Sequence, residues 1–420
     1  MFKKDQLNQI AVPLMLSNVL SLVISLCDQA MIGHLSISSF AAVGIVAGFI
    51  NGISGVLGAT SISFNILAAK AYRNNLLFTA YVQSQLVLSI AIGIISYGFI
   101  WCSKEFIFHQ LYQLTHQVLI DALSYAKIFS LSIGLNLVLF TASIYLKITN
   151  QTKYILVGSV VAAISNVVLD WVFIYALDLG MIGNAIGSIL ALCLNLFIYL
   201  FFLRHEWCWK HFVVKLDLMK KCLSHSMSFM IQEFLESTIL VLMLNILISR
   251  IGLLEVSVFQ FINNLLEISW MPMYAYSQAM LTIVSKNPQT LMIMKKEAVI
   301  RSLRLYSLIA VIFLLNRGWI LSLLTNQQLL INQCNRILPV VFLLYIFRHH
   351  LMMNQTCLQT LGAQQWILKV TFSSYLFGYF IIFLLIRLYP SLWVIYLGLA
   401  IIYFSLMCMM EIKLKMKNYR

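Results

Sequence analysis

Charged side chains are what this sequence has least of. Asp, Glu, Lys and Arg supply 10% of its 420 residues, against about 25% in soluble domains. So little charge cannot cover the surface of a large soluble domain, and that class is excluded. Catalytic signatures are missing too. No H-E-x-x-H, Walker A or G-x-S-x-G pattern occurs, which removes the sequence basis for a zinc protease, an ATP-driven pump or a serine hydrolase. The eight cysteines (Cys27, Cys102, Cys193, Cys208, Cys222, Cys334, Cys357, Cys408) have no C-x-x-C or metal-ligand spacing. They read as small apolar residues. The opening MFKKDQLNQIAVPLML has a basic pair before an apolar run but no small-residue cleavage site ahead of Asp28, so an uncleaved first helix is expected.

What is abundant is apolar sequence. Residues of the AVILMFWYC class make up 61% of the chain and the mean hydropathy is +0.90. About 20 such residues cross a hydrocarbon core of about 30 Å as a helix. Runs at 8–32, 39–68, 78–102, 118–147, 154–177 and 180–203, then 222–250, 253–285, 298–324, 333–361, 366–388 and 391–410 meet that length. The prediction is an all-α integral membrane protein of twelve transmembrane helices in two six-helix pseudo-repeated lobes. The lobes are 1–203 and 222–420, joined by a cytoplasmic connector, 204–221, whose aromatics and lysines suit the headgroup region. The net charge of +14 is dispersed over short loops, which argues for the lipid bilayer as partner and against nucleic acid. With the N-terminus inside, about 21 Lys and Arg fall on cytoplasmic segments and about 5 outside. Both termini are therefore expected in the cytoplasm.

Two stretches suggest the repeat. YLKITNQTKYIL from Tyr145 aligns with CLQTLGAQQWIL from Cys357, 212 residues on, and IGHLSISSFAAV from Ile32 aligns with ISRIGLLEVSVF from Ile248, 216 residues on. Identities are few, but the two offsets nearly agree. Parallel six-helix repeats are a transporter architecture with the substrate path at the lobe interface.

A carboxylate at bilayer depth costs several kcal/mol by most scales and belongs on a protein interior or a wet cavity. At about 1.5 Å per residue, Asp28 lies about 30 Å and Asp170 about 24 Å from the cytoplasmic ends of their helices. Asn166, one turn before Asp170, shares its face. Ser188, about 12 Å below the outer end of the sixth helix, is level with them. Two acids, an amide oxygen and a hydroxyl at one depth suit a proton or sodium ion; an acid satisfied by interhelical hydrogen bonds is the alternative. Glu233 and Glu236, three apart in helix 7, are expected to face one cavity, where they either attract a cationic substrate or pair with polar side chains. Glu267, flanked by Asn263, Asn264 and Pro272, fits a gate or cavity wall as well as structural glue between helices. His349 and His350 point about 100° apart on a helix and do not readily share one ion.

The residues also carry a family resemblance. AVPLMLSNVLSLVISLCDQAMIGHLSISSFAAVGI from Ala11, and SNVVLDWVFIYALDLGMIGNAIGSILA from Ser165 with its N-x-x-x-D followed by G-x-A-I-G-S, resemble the multidrug and toxic compound extrusion (MATE) family, in its DinF-like branch. The resemblance spans the chain. It implies two six-helix lobes and export of a small organic molecule, often cationic or amphipathic, by antiport against sodium or protons. It implies no cofactor beyond that ion, and a monomer in the plasma membrane. It places Asp28, Asn166, Asp170 and Ser188 at the cation site, Ser188 standing where threonine is usual, and Pro13 at the bend of helix 1. Glu236 matches the helix-7 acid of several branches, although SMSFMIQEFLES lacks the usual Gly-x-Pro. Two other functions compete: a flippase for lipid-linked precursors, which needs several cavity-facing cations where the helices offer only Lys127 and Arg348, and a membrane-embedded enzyme.

Overall fold

The computed structural model describes residues 6–204, 214–324 and 327–418. No strand occurs among them. Twelve long helical elements follow one another: α1 Gln6–Gly33, α2 Ser38–Ala71, α3 Asn75–Leu111, α4 His116–Ile148, α5 Lys153–Ala176, α6 Gly180–Leu203, α7 Leu216–Ser249, α8 Leu253–Lys286, α9 Pro288–Leu315, α10 Gln328–Leu344 with Phe347–Thr360, α11 Gln364–Leu388 and α12 Leu392–Lys417. Eleven are long and apolar enough to cross a membrane, with the bent pair of α10 taken as one span. The remaining one, α8, has the length at 34 residues but carries Glu255, Asn263, Asn264 and Glu267. Large apolar side chains such as Ile94, Ile95, Phe99, Phe377 and Phe380 stay more than half exposed, which water would penalise and lipid does not.

The predicted helices are present, with corrections at their ends. The ninth span, read as 298–324, begins at Pro288 and stops at Leu315. LMIMKKE (291–297), left outside that span, is helical, and the chain breaks at Asn316 before a short helix, Arg317–Leu324. Helix α7 starts at Leu216, inside the stretch assigned to the connector; residues 205–213 of that connector lie outside the described residues. Helices α1 and α8 continue unbroken through Pro13 and Pro272. The sharp break falls instead in α10, bent by 41°, six residues after Pro339.

The chain divides into two compact units, Val12–Met230, and Met1–Ala11 with Ile231–Arg420. In the first, Ile32, Val46, Ile50, Ile100, Phe108 and Tyr125 form the core, and α3 meets α4 so closely that a Cβ on Gly93 would stand 2.5 Å from the Gly134 Cα. In the second, Tyr276 donates to Asn8 Oδ1 at 2.8 Å, and Tyr306 to the Phe342 carbonyl at 2.8 Å. Ion pairs are scarce. Among the described residues they are Lys295 with Glu411, and Arg301 with Glu297 at 3.2 Å.

The repeat is visible at the level of single hydrogen bonds. After α4, Gln151 N donates to Leu146 O (2.7 Å) around Asn150, at φ 61°; after α10, Ala363 N donates to Leu358 O (2.9 Å) around Gly362, at φ 72°. Donors, acceptors and left-handed residues are each 212 apart. Both ends are the 6→1 helix stop that wants Gly or Asn at its left-handed position. Likewise Leu35 N donates to Ile32 O and Ile251 N to Ile248 O, while Ser36 and Gly252, 216 apart, precede α2 and α8 as their N-caps.

Candidate functional site

Helices α5 and α6 are held together by small residues, and that closeness builds the site. Gly183 and Gly187 lie one turn apart on α6. A Cβ on Gly183 would fall 2.7 Å from the Phe173 carbonyl carbon, and one on Gly187 would fall 2.0 Å from Asp170 Oδ1. Small residues four apart let helix backbones approach in membranes. Here the space left by Gly187 is filled by a carboxylate.

Asp170 is wholly buried. Its Oδ2 accepts from Asn184 Nδ2 at 2.7 Å, and Asn184 Oδ1 accepts from the Tyr125 hydroxyl at 3.1 Å. Asn166 Nδ2 reaches Ser188 Oγ at 3.4 Å. From α1, Asp28 stands close enough to Asp170 for the two carboxyls to act on each other electrostatically. Helix α1 is tied to α5 on both sides of that position: Ser17 Oγ contacts Ser159 Oγ, and Tyr175 donates to the Met31 carbonyl at 2.9 Å. The residues after Asp170, Val172–Ala176, form a π-helical turn, a widening that recurs at functional sites.

All four sequence-predicted cation-site residues therefore meet in one place. Sequence reasoning missed Asn184 and Tyr125, though Asn184 stands four before Ser188, on the same face of α6. Three oxygens, Asp28 Oδ1, Asp170 Oδ1 and Asn166 Oδ1, are buried without a partner. Buried acceptors are normally satisfied, and two carboxyls this close cannot both stay charged unless something positive sits between them. An all-oxygen set of this kind fits a hard monovalent cation or a proton. Among the described residues no group of three or more His, Cys, Asp or Glu could hold a metal ion.

The acids of α7 and α8 are arranged differently. Gln364 Nε2 donates to Gln232 Oε1 (2.5 Å), and Gln232 Nε2 to Glu236 Oε1 (2.6 Å). Glu236 opens a π-helical turn, Leu235–Ile239, and shares a pocket wall with Thr371 and Phe372. Glu267 accepts from Asn263 Nδ2 at 3.2 Å, along its own helix. Glu233 is partly buried and close enough to act on Glu236 electrostatically. His349 is buried, with Nδ1 3.2 Å from Ser302 Oγ.

Two six-helix units, one with an acid pair enclosed by α1, α5 and α6, define a multi-pass membrane protein with two carboxyls buried inside a helical lobe. The chain belongs to the MatE family, the MATE transporters, whose family model matches it twice, over residues 13–172 and 229–384. The two matches start 216 residues apart, the second of the repeat offsets. Among curated proteins no sequence matches. Solved structures share the fold: a MATE family multidrug resistance transporter of the MOP superfamily in an outward-facing conformation (TM-score 0.88, 17% identity, 99% of this chain and 95% of that one), a MOP superfamily transporter from Pyrococcus furiosus described by the reversed polarity of its binding pocket (0.88, 17%, 99% and 95%), and a MATE protein in complex with MaD3S (0.87, 17%, 99% and 96%).

Proposed function

We propose that this protein is a cation-coupled antiporter of the DinF-like branch that exports small amphipathic, often cationic, organic compounds. The observation that carries the reading is the Asp28 and Asp170 pair with its three unpartnered buried oxygens. Such a pair binds one positive charge and must release it before it can take the next, which is the requirement for coupling to a sodium or proton gradient. Asn166, Ser188 and Asn184 position it, and Pro13 is the hinge of α1. Solved MATE proteins include one in a straight and one in a bent conformation, and α1 supplies such a joint at Pro13, fifteen residues before Asp28. Glu233, Glu236 and Glu267 belong to the substrate side.

The flippase reading is weaker. Lys127 is exposed, beside the Trp101 ring, and Lys295 and Arg301 are paired with Glu411 and Glu297, which takes three of the helical cations away from a pyrophosphate. The protein is placed in the plasma membrane as a monomer with both termini cytoplasmic; a reporter fused at Arg420 and read from the outside would refute that orientation. The deciding experiment is transport by proteoliposomes with sodium and pH gradients imposed separately. Export that follows one gradient supports antiport. Export indifferent to both, or turnover of a substrate in detergent without any gradient, overturns it.

A further inference from the structure

The cation of the second unit has no use in the scheme above. Arg348 is the second residue of the half-helix Phe347–Thr360, just past the 41° break that divides α10 into stretches of 17 and 14 residues. It therefore sits near the middle of a span, where an arginine is expensive and functional by default. The N-terminal end of a half-helix adds its own partial positive charge.

Its hydrogen bonds go to neutral groups. The guanidinium lies over Trp270, 3.7 Å from the ring centroid. It donates to the hydroxyls of Tyr403 (3.2 Å) and Tyr274 (3.3 Å), which uses two of its five N–H donors on neutral acceptors. Arg348 forms no ion pair among the described residues. Glu236 and Glu267 act on it electrostatically, but each is hydrogen-bonded to an amide on its own helix. Two further donors in the same aromatic cluster are buried without a partner: the Trp270 indole N–H and the Tyr345 hydroxyl, whose rings stack at 6.0 Å. Tyr403 packs on Tyr345 at 5.3 Å and on Tyr375 at 6.4 Å.

A half-buried arginine, two orphaned donors and flat ring walls have one common complement, a planar anion joined to an aromatic ring. We propose that Arg348, with Trp270 and Tyr345, is a subsite for the carboxylate of an aromatic organic acid, which the protein carries in addition to or as part of a cationic compound. The fork of an arginine takes a carboxylate through two parallel hydrogen bonds, and the tyrosine rings take the attached ring system. Glu236 and Glu267 make the subsite selective. A second negative group meets them, while an amine on the same ligand is attracted. This assignment rests on the reading of the protein as an exporter of organic amphiphiles, but its test does not depend on coupling.

The test is equilibrium binding to the full-length protein in lipid nanodiscs, by calorimetry, with three matched probes: 1-naphthylacetate, the uncharged 1-naphthylacetamide and the cation 1-naphthylmethylammonium. The acid should bind about tenfold or more tightly than the amide, because charge-assisted hydrogen bonds are about twice as strong as neutral ones. Arg348→Gln should abolish that preference while leaving the amide unchanged. Should Arg348→Gln fail to accumulate, Arg348→Lys keeps the charge but loses the fork and the stacking, and should lose several-fold in affinity for the acid alone. Binding is measured at equilibrium with no gradient across the disc, which separates this proposal from the coupling scheme. A wild-type protein that binds acid and amide equally, or variants that weaken both probes together, would overturn it.

Discussion

The two units of this protein treat their buried acids in opposite ways. In Val12–Met230, Asp28 and Asp170 come from different helices, and three oxygens of Asp28, Asp170 and Asn166 are buried without a donor. In the unit that contains Ile231–Arg420, Glu236 and Glu267 each accept from an amide one turn away on their own helix, and Arg348 is hydrogen-bonded to tyrosine hydroxyls rather than to an acid. On the proposed reading the first arrangement exchanges a small cation. The second is already satisfied as far as its acids go, and its spare capacity is for an anion and for rings. The difference teaches that a count of membrane carboxylates says little about which half is coupled to an ion; what matters is whether each acid has a local donor.

The comparison is broken most directly at Asp28. Asp28→Asn should abolish ion-coupled export while the protein inserts and accumulates normally, since the amide is nearly isosteric and cheaper to bury. Wild-type export from that variant would make Asp28 structural. Next come the ligands around it, read as the midpoint of the sodium or proton dependence. Asp170→Asn should shift the midpoint most, Asn166→Ala less and Ser188→Ala least, because removing a charge weakens cation binding more than removing a neutral oxygen. Ser188→Thr should be close to silent. If Ser188→Ala is crippling and Asp170→Asn harmless, the ion sits elsewhere.

A third effect is steric. Gly187→Ala places a methyl where Asp170 Oδ1 now lies, so the acid must swing away or α6 must retreat. The expected result is a loss of roughly 1–3 kcal/mol, the usual penalty of overpacking, as a lowered Tm, together with a shifted ion midpoint. The same change at Gly98, where no atom lies within 4 Å of the added carbon, should do neither. The smallest effect is expected in the other unit. Glu236→Gln should leave the ion midpoint alone and weaken a cationic substrate by several-fold, since the side chain already sits against a glutamine. A midpoint shift as large as that of Asp170→Asn would erase the contrast between the units.

Much of this was legible in the sequence, and the residues show why. Twelve apolar runs are a statement about lipid, and lipid admits few alternatives to helices. The repeat survived in LKITNQ and LQTLGA because the left-handed helix stop restricts its residue type, admitting Asn150 in one copy and Gly362 in the other. The site was legible where a charge sat in an apolar run, as at Asp28 and Asp170, and where four-residue spacing added Asn166. Neutral partners were harder. Tyr125, Gln232 and Gln364 resemble any other polar residue at a helix interface until tertiary packing brings them to an acid. The break in α10 was not legible either. Pro339 precedes it by more than a turn, whereas Pro13 and Pro272 leave their helices continuous, so proline alone does not locate a bend.

The scarcity of ion pairs among the described residues has a practical consequence at the bench. Screening at 0.15 M salt acts over about 8 Å, and exposed pairs contribute about 1 kcal/mol or less even when present, so ionic strength has little purchase on a structure held by Lys295 with Glu411 and Arg301 with Glu297. Replacing sodium by potassium at constant ionic strength should therefore leave the helix assembly untouched. Any thermal shift that appears in such a swap, and vanishes in Asp170→Asn, reports occupancy of the carboxylate pair itself, with no substrate required to see it.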